Sequence, residues 1–182
     1  MINLNDKKMK IEGKRIYLRK LDEKDATQKY CSWLNDPEVN KYLETREATI
    51  EELRQYIKDK NKNPNCLFLG IFKENKKHIG NIKLEPIDFE NKKATLGILI
   101  GDKEYWGKGI GTEAVKLLVN WSFDNLGLEE VNLGVISENK AAINVYTKAG
   151  FRIDRIEKRS IEHKGEFHDN VIMSIKRETS LA

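Results

Sequence analysis

The sequence predicts one α/β domain whose sheet is antiparallel in its first half and gains a parallel strand pair in its second. Two observations carry this expectation. Short apolar runs rich in β-branched residues recur along the chain, separated either by polar turns or by segments with apolar residues at helical spacing. One such helical segment joins the run at 96–100 to the run at 131–136, and a strand–helix–strand crossover requires those two strands to lie parallel. With 182 residues, no internal repeat and no linker, the chain reads as a single domain over 11–178 behind a polar segment at 1–10 that is either frayed or a short arm.

The elements follow in order. Residues 14–21 (KRIYLRKL) alternate Ile16, Leu18 and, less cleanly, Leu21, as a first strand does. Asp22 can cap a helix to about Leu34, with Ala26, Tyr30, Trp33 and Leu34 on one face. Asn35-Asp36-Pro37 breaks it, and Pro37 suits the first turn of a second, short helix. Thr49-x-x-Glu52 is a capping box opening a helix over 51–60. Residues 66–72 and 78–84 form a hairpin around the polar turn at 74–77, and a second turn at 88–92 leads into the strand at 96–100. After Trp106-Gly107-Lys108-Gly109-Ile110-Gly111, a helix places Ile110, Ala114, Leu117, Leu118 and Trp121 on one side. Asn139 caps a further helix carrying Ala142, Val145, Tyr146 and Ala149, which Gly150 ends. Residues 152–162 and 167–176 close the chain as a hairpin turning at Lys164-Gly165.

Composition excludes several function classes. The 33 Lys+Arg and 29 Asp+Glu nearly balance at net +4 and are spread along the chain, which argues against a nucleic-acid surface. No apolar run approaches membrane-spanning length, and no apolar leader opens the chain, so the expected location is the cytoplasm. Cys31 and Cys66 have no metal-ligand spacing and read as free thiols; no metal is expected.

The glycine loop joins a strand to a helix N-terminus, where free amides and the helix dipole favour an anion; the alternative reading is a plain tight turn. It lacks the Gly-Lys-Ser/Thr ending of a phosphate loop for nucleoside triphosphates. Its glycine spacing, and the lack of an acidic residue at the end of the next strand, also fail the dinucleotide fingerprint.

Two motifs taken together resemble the GNAT acetyltransferase superfamily: Trp106-x-x-Gly109-x-Gly111, and Asn139 followed by Tyr146-Thr147-Lys148-Ala149-Gly150-Phe151. Tyr105-Trp106-Gly107-Lys108-Gly109 is similar to the branch containing the ribosomal-protein N-terminal acetyltransferases and several small-amine and amino-sugar enzymes. The resemblance is specific over 95–151 and looser over 14–176. It implies a sheet with helices on both faces and one parallel strand pair splayed around acetyl-CoA. It also implies that the main chain of Ile98, Leu99 and Ile100 bonds the pantetheine arm, and that the amides from Gly107 through Lys108, Gly109, Ile110 and Gly111 to Thr112, with Trp106 beside them, face the pyrophosphate. Asn139 is then a helix cap, a pantetheine partner or both, and Tyr146 the proton donor to the departing thiolate. Thr95 stands where relatives often carry a glutamate base; Glu85 at the end of the preceding strand is the substitute or merely a solvated strand-end charge, His163, His168 and Asp169 of the last hairpin are alternatives, and the free amine can also react without a base. Trp33, Asn35 and Tyr42 border the acceptor side, with Asp36 and Glu38 near enough to attract a cationic amine. The function implied is acetyl transfer to a primary amine of a protein N-terminus, an amino sugar or a small molecule, by a monomer or homodimer. The alternative is a coenzyme A-binding module without turnover.

Overall fold

A computed structural model describes residues 4, 6, 8–43 and 48–178. Eight strands and four helices form one sheet with helices on both faces: β1 (Lys10–Glu12), β2 (Tyr17–Lys20), α1 (Gln28–Asn35), α2 (Ile50–Lys62), β3 (Leu67–Phe72), β4 (His78–Asp88), β5 (Lys93–Ile100), α3 (Ile110–Asn125), β6 (Glu130–Ile136), α4 (Lys140–Ala149), β7 (Arg152–His163) and β8 (Glu166–Lys176). The sheet order is β1-β2-β3-β4-β5-β6-β8-β7. Every pairing is antiparallel except β5 with β6, the pair linked through α3.

The two sheet faces are packed by different helices. On one, Ile82, Leu84, Leu96, Val131, Leu133 and Met173 meet Ala114, Val115, Leu118 and Val119 of α3, with α4 alongside. On the other, Tyr17, Phe68 and Phe72 meet Tyr30 and Trp33 of α1 and Leu53 and Ile57 of α2. α2 buries Leu53 and Ile57, four residues apart on one face, and Thr49 and Glu52 form the expected capping box.

Three expectations need correction. Asp22 caps only a 3-10 turn, Glu23–Asp25, because Asp25 reaches back to the Asp22 amide while both its oxygens hold the Arg19 guanidinium. The chain leaves helical geometry at Ala26, and Thr27 caps α1 instead. Residues 37–42 are turns rather than a helix: the Asp36 carboxylate takes the Glu38 and Val39 amides, and Asn40 donates to the Leu34 carbonyl. The arm is also partly docked, since β1 pairs with β2 and the buried Lys20 ammonium donates to the Leu4 carbonyl at 2.6 Å.

The feature that makes the site is an interruption. β5 and β6 face each other only at Lys93↔Glu130, Ala94↔Val131 and Thr95↔Asn132. Beyond Thr95, residues 96–100 and 133–136 continue as strands on diverging courses while keeping their outer partners, β4 and β8. The Thr95 hydroxyl, donating to Asn132 Oδ1 at 2.9 Å, marks the closed end of this split.

At the open end the chain turns at Gly101, on which the Trp33 indole lies. A β-carbon there would stand 2.1 Å from the Trp33 ring, and Trp33 is buried. Overpacking of this kind costs roughly 1–3 kcal/mol, so Gly101→Ala is expected to lower the unfolding free energy by about that amount in denaturant titration. An unchanged midpoint would mean that the indole moves freely.

Candidate active site

The glycine loop follows a 3-10 turn, Lys103–Tyr105, at the end of β5. Gly107 and Gly109 both adopt left-handed geometry, with φ of 70° and 75°. Gly109 occupies the N-cap position of α3, and having no side chain it leaves the first amides uncapped. Ile110 is buried at 3% exposure and pins the helix start to the core. Gly111 allows α4 to approach: a β-carbon there would already touch Val145 at 3.5 Å and Ile100 at 3.8 Å. Trp106 closes the corner, its indole N–H donating to the Ile100 carbonyl at 2.7 Å. Gly97, Ile98, Leu99 and Ile100 are all half-buried along this edge of the split.

A strap from the far end of the chain holds the loop. Arg15 Nη1 donates to the Lys108 carbonyl at 2.9 Å, and Arg15 Nε donates to Glu113 Oε2 at 2.7 Å. Glu113 also accepts the amides of Lys14 and Arg15. Partial burial works against the Glu113 carboxylate, but the bonds from Arg15 outweigh it and its pKa lies below the usual range. The Lys108 ammonium sits 6.0 Å from the Tyr105 ring centre. Thr112 stands in the first turn of α3.

On the opposite sheet face, α1 and α2 roof a cavity of about 700 Å³. Its floor is Asn81, Ile82 and Lys83 of β4 with Gly97, Ile98 and Leu99 of β5, so it reaches the edge of the split. From the helix side of the sheet comes Tyr146, next in the chain to the Val145 that packs on Gly111. Tyr146 is buried at 7% exposure, and burial pushes its hydroxyl up to a pKa of about 12. It is thus a fixed proton holder at neutral pH. Asn139 accepts the Ala142 amide and caps α4.

Residues 15–152 match the sequence pattern described as the Acetyltransferase (GNAT) domain. The chain is a member of the GNAT acetyltransferases. An uncharacterized N-acetyltransferase, p20, of Bacillus licheniformis is 31% identical over 170 residues, covering 90% of this chain and 94% of its own. Among solved structures, a GNAT-family acetyltransferase from Bacillus anthracis superimposes with a TM-score of 0.81 at 24% identity, over 92% of this chain and 98% of its own. Spermidine N-acetyltransferase from Vibrio cholerae, solved with CoA and spermine, gives 0.81 at 23% identity, over 89% and 95%. The chain is accordingly an acyltransferase dependent on acetyl-CoA.

In this acetyltransferase several acceptor-side expectations need correction. Trp33 is core, 5% exposed and packed on Gly101. Asn35 is a latch for the following loop, its carboxamide exchanging bonds with the Ala48 amide and carbonyl. Asp36 and Glu38 are both paired with Lys103. Tyr42 does line the cavity. Glu85 has two ammonium partners, Lys60 at 2.6 Å and Lys83 at 2.9 Å. Burial would raise its pKa, but the two lysines outweigh burial and hold the carboxylate below the usual range, which ill suits a base.

What the sequence reading missed was the roof. Glu52, Leu53, Tyr56 and Lys60 all line the cavity from α2. Their spacing of one, three and four residues places them on one helix face, a signal present in the sequence, where this helix is read only through its capping box. The Arg15–Glu113 strap joins positions 98 apart, and no local pattern marks it.

Proposed function

We propose that the chain is an N-acetyltransferase that passes an acetyl group directly to a primary amine while acetyl-CoA and acceptor are bound together, in the cytoplasm, as a monomer or homodimer. The observation that carries this reading is the coincidence of two features: the β5–β6 split opens toward the uncapped start of α3. An extended chain of amides fits the first, and a diphosphate fits the second.

The amides of residues 107–112 would hold the phosphates, and the main chain of Ile98, Leu99 and Ile100 the pantetheine arm. Bound there, acetyl-CoA would supply a thioester carbon for an amine nitrogen to attack; the carbon–sulfur bond breaks, and the proton shed by the nitrogen is the one the departing sulfur takes up. The Tyr146 hydroxyl keeps its proton and donates a hydrogen bond at that end. At a pKa of about 12 it is a weaker acid than a free thiol near 8.5, so it stabilises developing charge rather than surrendering the proton outright. The roofed cavity on the α1–α2 face admits the acceptor and favours a small amine or amino sugar over a protein N-terminus. We assign no dedicated base. Glu85 is paired with lysines, and the Thr95 hydroxyl is given to Asn132. The acceptor enters as its free-amine fraction, and positioning supplies the rate. Cys31 and Cys66 are buried in the α1–α2 layer or beside it and take no part.

The test is thiol release from acetyl-CoA with a panel of primary amines and short peptides. Release well above hydrolysis with at least one amine is the expected result. Coenzyme A binding without release across the whole panel would leave a binding module in place of an enzyme.

A further inference from the structure

Asn81 lines the cavity floor at the position paired with Leu99, and it is 4% exposed. Its side-chain oxygen and its side-chain nitrogen have different fates. Oδ1 lies 2.9 Å from His78 Nε2, which is also 2.9 Å from the Gly80 carbonyl. A nitrogen between two oxygens must carry the proton, so Nε2–H donates to both. Burial against Tyr30, Trp33 and Phe72 pushes the His78 pKa down, opposed by its bond to Asn81, and keeps the ring neutral with this single relevant donor. Turning the carboxamide over would give the Asn81 amine a hydrogen-bearing partner, so the orientation is fixed. It leaves Asn81 Nδ2 buried without a partner among the described residues. An unmade buried hydrogen bond costs about 1–3 kcal/mol, so an acceptor that reaches Nδ2 from the cavity would be favoured on that order.

The charges around it narrow the occupant. Among the described residues, the charged groups lining the cavity are Lys60, Lys83 and Glu52. Glu52 is committed to the Thr49 capping box at the start of α2. Lys60 and Lys83 share one carboxylate, Glu85, which is not itself part of the lining. The lining thus carries two ammonium groups, Lys60 and Lys83, and one carboxylate, Glu52, while the lysines' shared partner Glu85 stands outside it. A donor amide in a lining that also carries two ammonium groups suits an oxygen anion. The rest of the lining is apolar or aromatic, including Tyr30, Leu34, Leu53, Tyr56 and Phe68.

We infer that the acceptor is a small primary amine carrying a carboxylate or phosphate on an apolar or ring body, its anionic group received by Asn81 Nδ2 with Lys60 and Lys83. This rests on the acetyltransferase reading above and departs from the polyamine acceptors of the spermidine enzymes that share the fold. Asn81 acts as a specificity residue, and His78 positions it.

The experiment compares matched amines under identical acetyl-CoA: L-phenylalanine against 2-phenylethylamine, glucosamine 6-phosphate against glucosamine, and spermidine alone. The expected result is kcat/KM at least tenfold higher for the anionic member of one pair, and which pair responds separates carboxylate from phosphate. In Asn81→Ala that ratio is expected to fall about tenfold, chiefly through KM for the acceptor. If this variant does not fold, Lys83→Met carries the same expectation. A preference for spermidine or for the neutral amines overturns the inference and leaves the acetyltransferase standing. An unchanged ratio in a folded variant also overturns it. Release from no amine at all overturns the small-amine reading and this inference with it.

Discussion

Gly109→Val is expected to weaken coenzyme A binding by more than tenfold. The reason is conformational rather than steric. A β-carbon at this position would meet only Arg15 Nη2 at 3.5 Å, an ordinary contact. But Gly109 holds φ at 75°, and left-handed geometry costs a residue with a side chain roughly 1–2 kcal/mol, more when it is β-branched. Valine would relax toward negative φ and swing the first amides of α3 out of their common direction. Each hydrogen bond to a charged group is worth about 1.5–3 kcal/mol, so losing one fully aligned amide already passes the tenfold mark. Calorimetric titration with coenzyme A measures this directly. Gly109→Asn should fall between, because asparagine tolerates the left-handed region. Equal affinity in Gly109→Val and the parent protein would remove the glycine loop from the phosphate site.

Tyr146→Phe is expected to lower kcat by about ten- to a hundredfold while sparing affinity for coenzyme A, the range typical of a lost acid or hydrogen-bond donor. The ring should keep its packing, since Tyr146 sits in the α3–α4 core with its ring 5.9 Å from that of Phe151. Thermal stability therefore serves as a control that separates lost chemistry from lost structure. The pH profile gives a second signature. Burial raises the Tyr146 pKa to about 12, so the donor form persists throughout the neutral and mildly alkaline range. The parent enzyme should gain rate as the acceptor amine deprotonates and show no descending limb between pH 7 and 10. A fall in kcat within that window would assign the hydrogen-bond donor's role to another group.

Local chemistry was legible wherever one residue decides one turn. Thr49 with Glu52, Asn139, and Gly150 each mark a helix end that needs no distant partner. The parallel pairing of β5 and β6 was legible too, because a crossover helix permits only that. Asp22 misled because two capping residues, Asp22 and Thr27, compete within five positions, and Arg19 settled the contest by seizing Asp25. Trp33 misled because an aromatic beside a break suits a cavity or a core equally; the bare backbone of Gly101 placed it in the core. The charge state of Glu85 depends on Lys60, 25 residues away on a helix whose rotation no local pattern gives. The pairing of His78 with Asn81 was near in sequence, yet its meaning came only from what each side chain lacks after folding.

The interrupted ladder between β5 and β6 also bears on how the molecule lives without its ligand. Outer rims invite stray chains, and here they are β1, three residues long, and β7, largely exposed and crowded with charge. The inner notch is flanked by sheet on either side, so a foreign strand could enter it only lengthwise from its mouth. A thin, amide-bearing molecule is not so restricted. Filling the notch would repair the sheet, and a ligand at a hundred times its Kd adds about 2.7 kcal/mol to the folded state. Bound as proposed, the cosubstrate would double as a missing piece of the protein's own framework, and the chain without it would be the more fragile form.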